Sequence, residues 1–148
     1  MVEQKQFCTF FLDGHMFGVE VEQVQEVFRY QEMTKVPLAP QVVRGLINLR
    51  GQIITAIDLR QRLGMEPLPE DKFPMNVVVR TKDGVVSLLV DEIADVLEVS
   101  EEVYERPPET IPHDVRQLVK GVYKLTDKLL LILDSEKAVD VDSTALAP

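Results

Sequence analysis

At 148 residues the chain has the length of one compact domain, and a composition of 45% hydrophobic and 28% charged residues excludes a disordered or fibrous polymer. Twenty-five acidic side chains against 16 basic ones give a formal charge of -9, and no basic cluster stands out beyond Arg60 and Arg62, so nucleic acid is not expected as a partner. A single cysteine, Cys8, rules out an intramolecular disulfide, and no apolar run approaches the ~20 residues of a membrane helix, which together predict a cytoplasmic protein without direct membrane insertion.

In chain order, Phe7 to Leu12 and Met16 to Val21 are apolar runs around Asp13-Gly14, a dipeptide suited to the positive φ of a tight hairpin. Val21, Val24, Val27 and Phe28 then recur at spacings of three and four, which predicts a short amphipathic helix. The two prolines of Lys35 to Pro40 leave an extended connector. Leu46 to Leu49 and Gln52 to Leu59 read as strands around a turn at Arg50-Gly51. A helical turn follows, capped by Asp58 and stopped by Gly64. Pro67, Pro69 and Pro74 among charged residues mark a boundary.

Beyond that boundary the order repeats. Met75 to Thr81, Asp83-Gly84 and Val85 to Val90 make a second strand, turn and strand, and Val90 to Leu97 restates the helical pattern of Val21 to Phe28. Val43 to Asp58 aligns without a gap on Val119 to Asp134, sharing the basic residue, the glycine after it and the closing aspartate. The expected fold is therefore mainly β: a first barrel half at 7–72, a second at 73–138, each of about five short strands, and a fraying tail at 139–148. The groove between the barrels is the natural binding site.

Little in the chain points to chemistry. None of the seven glycines forms a phosphate-cradling loop, and His15, His113 and Cys8 lack the spacing of a metal site. Asp91, Glu92 and Asp95 lie close together in the sequence, but as the polar positions of an amphipathic helix they read as a solvated face. The repeats differ at one informative place: Asn48-Leu49-Arg50-Gly51 stands where the second has Lys124-Leu125-Thr126-Asp127. Arg50 is either a structural partner of a nearby acid or carbonyl, or a planar cation offered to a binding partner.

Residues Phe10 to Asp134 resemble the CheW family of chemotaxis coupling proteins, most specifically in Val43 to Leu59 with its Asn48-Leu49-Arg50-Gly51 core. Val24-Gln25-Glu26-Val27 and Leu88-Leu89-Val90-Asp91-Glu92-Ile93 support the likeness; Thr55, where the family commonly has proline, departs from it. The resemblance implies two tandem SH3-like five-stranded β-barrels with short helices, and no catalytic residue, cofactor or metal. It further implies a non-enzymatic adaptor joining the cytoplasmic tip of methyl-accepting chemotaxis receptors to the regulatory domain of the histidine kinase CheA, recruited to membrane-associated receptor arrays. Carried across, the receptor-binding residues are Arg50, Asn48, Val24, Glu26 and Val27. Kinase binding is expected on apolar strand edges of the second barrel at Val85, Val86 and Leu88. Alternatives are a coupling protein for another output such as twitching motility, a small enzyme using Asp91, Glu92 and Asp95, and a small-ligand binder.

Overall fold

The computed structural model describes residues 3–140. Its elements are β1 (Gln4–Leu12), β2 (His15–Glu20), β3 (Val24–Phe28), β4 (Val43–Leu49), β5 (Gln52–Asp58), α1 (Leu59–Arg62), β6 (Met75–Thr81) and β7 (Gly84–Val90). They continue with β8 (Glu92–Ser100), β9 (Tyr104–Glu105), α2 (His113–Arg116), β10 (Val119–Lys124), β11 (Leu129–Leu133) and α3 (Ser135–Val139). The strands form two sheets, ordered β8-β1-β2-β11-β10-β9 and β3-β6-β7-β5-β4. This is the mainly β, two-barrel architecture that the repeat predicts. In the second sheet Thr34 and Leu46 exchange backbone hydrogen bonds of 2.9 and 2.8 Å, tying the chain beyond β3 to β4. In the first, β8 runs through a 3-10 turn at Glu101–Val103 into β9, which pairs with β10.

The halves 7–72 and 73–138 do not correspond to the two sheets. The hairpin β1–β2 of the first repeat is built into the sheet that holds β8 to β11, and the hairpin β6–β7 of the second repeat into the sheet that holds β3 to β5. Each hairpin is received in the same way, through a parallel pairing: β2 with β11 and β7 with β5. The repeat itself is real in three dimensions. Asp58 and Asp134 accept backbone hydrogen bonds from Gln61 and Lys137 as caps of α1 and α3, and their own amides donate to Val42 and Leu118 at 2.7 Å each. The shared glycines serve close approach: a methyl group on Gly45 would lie 2.7 Å from the Thr34 carbonyl oxygen, and one on Gly121 would overlap the Tyr104 ring.

The two expected amphipathic helices are strands. Only Val21–Gln23 is helical, as a single 3-10 turn; Val24–Phe28 is β3, and Glu92–Ser100 is β8. A bulge explains both misreadings. Between Val24 and Glu26 the register advances one residue on β6 for two on β3, and between Ile93 and Val96 β8 advances three residues for two on β1. One extra residue converts the strand period of two into a spacing of three, which imitates a helix. The tail expected to fray falls mostly outside the described residues; Val139 closes α3 and packs against the core.

The largest buried cluster lies between the sheets and draws on both: Phe10, Leu12, Phe17 and Val19 from one, Ile57, Val77, Val79, Leu88 and Val90 from the other, with Leu59, Leu63, Val115 and Ala138 from the short helices. Smaller clusters fill each sheet's other face, Phe7, Met16, Tyr123, Leu130 and Ile132 in one and Ile47, Ala56 and Leu89 in the other. Strands β2, β5, β7 and β11 contribute to both faces, which is why runs such as Leu129–Leu133 are apolar without alternation.

An ion pair joins the same segments at the surface. Arg60 Nε and Nη2 donate to Asp91 Oδ1 and Oδ2 at 2.7 and 2.6 Å, and Nη1 donates to the Glu66 carbonyl at 2.7 Å. Asp91 also accepts the Asp13 amide at 2.8 Å, so α1, the β7–β8 junction and the β1–β2 turn meet at one carboxylate. Both side chains are partly covered.

Two outcomes follow from this arrangement. Because the hairpins are exchanged, fragments 1–72 and 73–148 should each lack dispersed amide spectra alone and regain a native-like spectrum on mixing; a well-dispersed spectrum from either fragment alone would contradict the topology. Asp91→Asn should lower stability in urea by roughly 1–3 kcal/mol, the cost of weakening a part-covered, charge-assisted hydrogen-bond network. An unchanged urea midpoint would show that the Arg60 contact is incidental.

Candidate partner-binding surface

The surface predicted around Arg50 is built on the β4–β5 hairpin. Leu49 pairs with Gln52, leaving Arg50 and Gly51 as a two-residue loop with φ of 52° and 88°. Positive φ at both central residues is the twist that suits a two-residue hairpin, and Gly51 takes its value without steric cost. Asn48 Oδ1 accepts the Gly51 amide at 2.9 Å. From this loop the Arg50 side chain reaches β3, where Nη1 and Nη2 donate to Glu26 Oε2 and Oε1 at 2.6 and 3.0 Å. Since β3 and β4 are the opposite ends of their sheet, the fork spans the seam where the barrel closes.

Electrostatically the pair is asymmetric. Glu26 is mostly covered, while 75% of the Arg50 side chain stays exposed, so the cation is presented outward with its acid beneath it. The Arg50 hydrogen bonds hold the Glu26 carboxyl below the usual carboxylate range and push the Arg50 guanidinium up. Two apolar side chains of neighbouring strand positions are exposed: Val27, next to Glu26 on β3, at 42% and Ile53, on β5 after the hairpin, at 59%. Ile53, directly across the hairpin from Asn48, was not among the expected residues; its signal was an apolar side chain one position from a turn.

The other expected residues divide. Arg50, Glu26 and Val27 come together at the seam, and Asn48 belongs to the turn beneath them. Val24 is half-buried and packs against the main core. The helix expected to carry Val24, Glu26 and Val27 is the edge strand β3. Val85, Val86 and Leu88 are not on a strand edge: β7 is bonded on one side to β6 and on the other to β5. Leu88 is fully buried in the shared core and cannot meet a partner, whereas Val85 and Val86 are half-buried.

Asp91, expected as a member of an acidic trio, is bound by Arg60, and Glu92 and Asp95 are exposed on a strand, not a helix face. His113 contacts Gln117 at 2.8 Å. Among the described residues no three His, Cys, Asp or Glu side chains are arranged to hold a metal ion. A cleft of about 530 Å³ opens where β2 and β11 meet the end of α1 and the segment leading into α2, lined by Met16, Leu63, Met65, Ile111, Val115 and Leu129. None of Arg50, Asn48, Val24, Glu26 and Val27 lines it.

A family model described as a CheW-like domain matches residues 6–143. The chain belongs to the CheW-like domain family. Among individual CheW proteins, it is 29% identical to the chemotaxis protein CheW of Bacillus subtilis, covering 97% of this chain and 92% of that one. It is 30% identical to chemotaxis protein CheW of Treponema pallidum over 91% of this chain and 82% of the relative. The crystal structure of the scaffolding protein TtCheW from Thermoanaerobacter tengcongensis superposes with a TM-score of 0.85 at 29% identity, covering 97% of each chain. A likeness to protein PilI of Pseudomonas aeruginosa, 32% identical, is confined to 57% of this chain and 47% of the relative.

The Glu26 contact in this CheW-like domain makes a prediction with a definite sign. A carboxyl whose folded pKa is depressed stabilises the fold above its unfolded value, near ~4.3 for Glu, and loses that contribution as pH falls through the lower folded value. Urea midpoints of wild type and Glu26→Gln should therefore differ at neutral pH, keep that difference down to about pH 5, and converge as the pH falls from about 4.3 through the lowered folded value. A difference that persists at lower pH would mean that the amide perturbs packing and not the ion pair.

Proposed function

We propose that this chain is a non-enzymatic adaptor that couples methyl-accepting chemoreceptors to the histidine kinase CheA in chemotaxis signal transduction. Support comes from CheW-like family membership over residues 6–143 and from the scaffolding role named for the solved relative. The observation that carries the reading to particular residues is the outward Arg50 fork at the barrel seam, with Val27 and Ile53 exposed on the strands that it joins. A planar five-donor cation with apolar neighbours is the composition of an interface anchor.

In this reading the cytoplasmic tip of the receptor meets Arg50, Glu26 and Val27, with Asn48 bonded to the turn and Val24 packed against the core. The regulatory domain of CheA meets a separate surface, for which Val85 and Val86 remain candidates at the start of β7. The adaptor works in the cytoplasm and joins receptor arrays through its partners; no helix among the described residues is long and apolar enough to cross a membrane. A coupling role in another chemosensory-like pathway, such as twitching motility, would use the same surfaces. The PilI likeness covers little over half of the chain, and the CheW likenesses cover nearly all of it, which favours chemotaxis.

Calorimetric titration of a receptor cytoplasmic fragment and of the CheA regulatory domain separates the two surfaces. Arg50→Ala should weaken receptor binding roughly thirtyfold while kinase binding changes little. Arg50→Lys, which keeps the charge and loses the fork, should recover only part of the loss. Equal losses for both partners would refute the assignment of Arg50 to the receptor surface.

A further inference from the structure

Asn48 and Arg50 stand two residues apart in the same hairpin, and the structure gives them unlike environments. Arg50 is a non-glycine residue at φ 52°, a left-handed conformation that L side chains enter at a cost and keep only when their surroundings enforce it. A two-residue hairpin favours this turn, as at Asp13-Gly14, and here an added contact holds it: Asn48 Oδ1 accepts the amide of Gly51, the second residue of the loop, at 2.9 Å. An amide oxygen bonding the backbone three residues on is a local brace of the kind that Asn supplies in turns.

The second repeat offers a comparison. There Lys124 occupies the place of Asn48 and has no side-chain acceptor to offer. The aligned loop, Thr126-Asp127, is closed by a bond from the Leu125 amide to the Lys128 carbonyl at 2.9 Å, and neither loop residue has positive φ. The two loops also differ at Gly51 and Asp127, so the comparison bears on Asn48 and Gly51 together: with both the loop is left-handed, and without them neither loop residue has positive φ. Only the left-handed loop carries a side chain that reaches back across a seam.

We infer that Asn48 is a positioning residue and not a contact residue: by holding the Gly51 amide it keeps Arg50 in the left-handed turn that delivers the guanidinium fork to Glu26. The role concerns the surface proposed above for the receptor, but its geometry stands without any partner. Loss of the brace lets the Arg50–Gly51 loop relax toward the conformation of Thr126-Asp127, and the fork no longer meets both Glu26 oxygens.

The test follows the Glu26 side-chain carboxyl by carbon-detected NMR titration in the full chain. Four proteins form the cycle: wild type, Asn48→Ala, Arg50→Ala and the double variant. Asn48→Asp, which retains an oxygen acceptor at the same place, is read through the exchange rate of the Gly51 amide. Expected is an upward move of the Glu26 midpoint in Asn48→Ala by at least half of the move in Arg50→Ala, with no further move in the double variant. The Gly51 amide should exchange faster in Asn48→Ala and at the wild-type rate in Asn48→Asp. A Glu26 midpoint unmoved in Asn48→Ala overturns the inference, as does an equal move with and without Arg50. Receptor-fragment binding measured on the same proteins keeps the two readings apart. Weaker binding in Asn48→Ala supports both; unchanged binding with a displaced Glu26 midpoint overturns the receptor assignment of the surface and leaves the positioning role standing.

Discussion

Burial of four strands on both faces is the constraint from which the rest of this structure follows. β2, β5, β7 and β11 each turn one face into a barrel and the other into the core between the barrels. These strands lie inside their sheets, and the hairpins enter there. They do so by parallel pairing, β2 with β11 and β7 with β5. The parallel pairs need distant partners, and the exchange of hairpins between repeats supplies them. The Arg60–Asp91 pair then fastens the rim of this core by joining an element of each sheet to the turn between β1 and β2.

Function uses what that constraint leaves over. With the inner strands committed on both faces, accessible surface is found where the sheets begin and end, and the Arg50 fork sits at such a place, between β3 and the turn after β4. A seam is a suitable position for the recognition role proposed for Arg50. Its polar groups are not needed by the core, and the ion pair across it holds an exposed cation in one orientation. Preorganisation of that kind reduces the ordering cost that a partner would otherwise meet on binding.

The sequence was most legible where the physics is local. The Asp13-Gly14 hairpin, the Asp58 cap and the stop at Gly64 depend on a few neighbouring residues, and each is present: φ is 50° and 80° at the hairpin, Asp58 bonds the Gln61 amide, and Gly64 has φ 74°. Val24 to Phe28 and Glu92 to Leu97 were misread because a bulge changes the spacing of apolar residues without changing the kind of element. The partnership of the hairpins was not legible, since periodicity shows which face of a strand is buried and not which strand lies beside it. Arg50 stood out through the difference between repeats, a signal independent of fold. Leu88 was misplaced although its neighbours carried a warning: Val85 to Val90 is nearly unbroken apolar sequence, the mark of an inner strand. The Arg60–Asp91 pair had no sequence signal, because its groups meet only once three separated segments have converged.

The exchange of hairpins also bears on how the chain is made. Gly18 on β2 pairs with Ile132 on β11, more than a hundred residues later. At ordinary rates of translation, the first hairpin waits on the order of ten seconds on the ribosome before its permanent neighbour has been synthesised. Throughout that wait Phe7, Phe10 and Phe17, all buried in the finished protein, have no final place to go. The strands that emerge next, β3 to β5, end in an open edge on β5 that only β7 properly fills, and a hairpin of similar pattern is already at hand. Until β6 and β7 have been synthesised, the native partner of that β5 edge is missing as well.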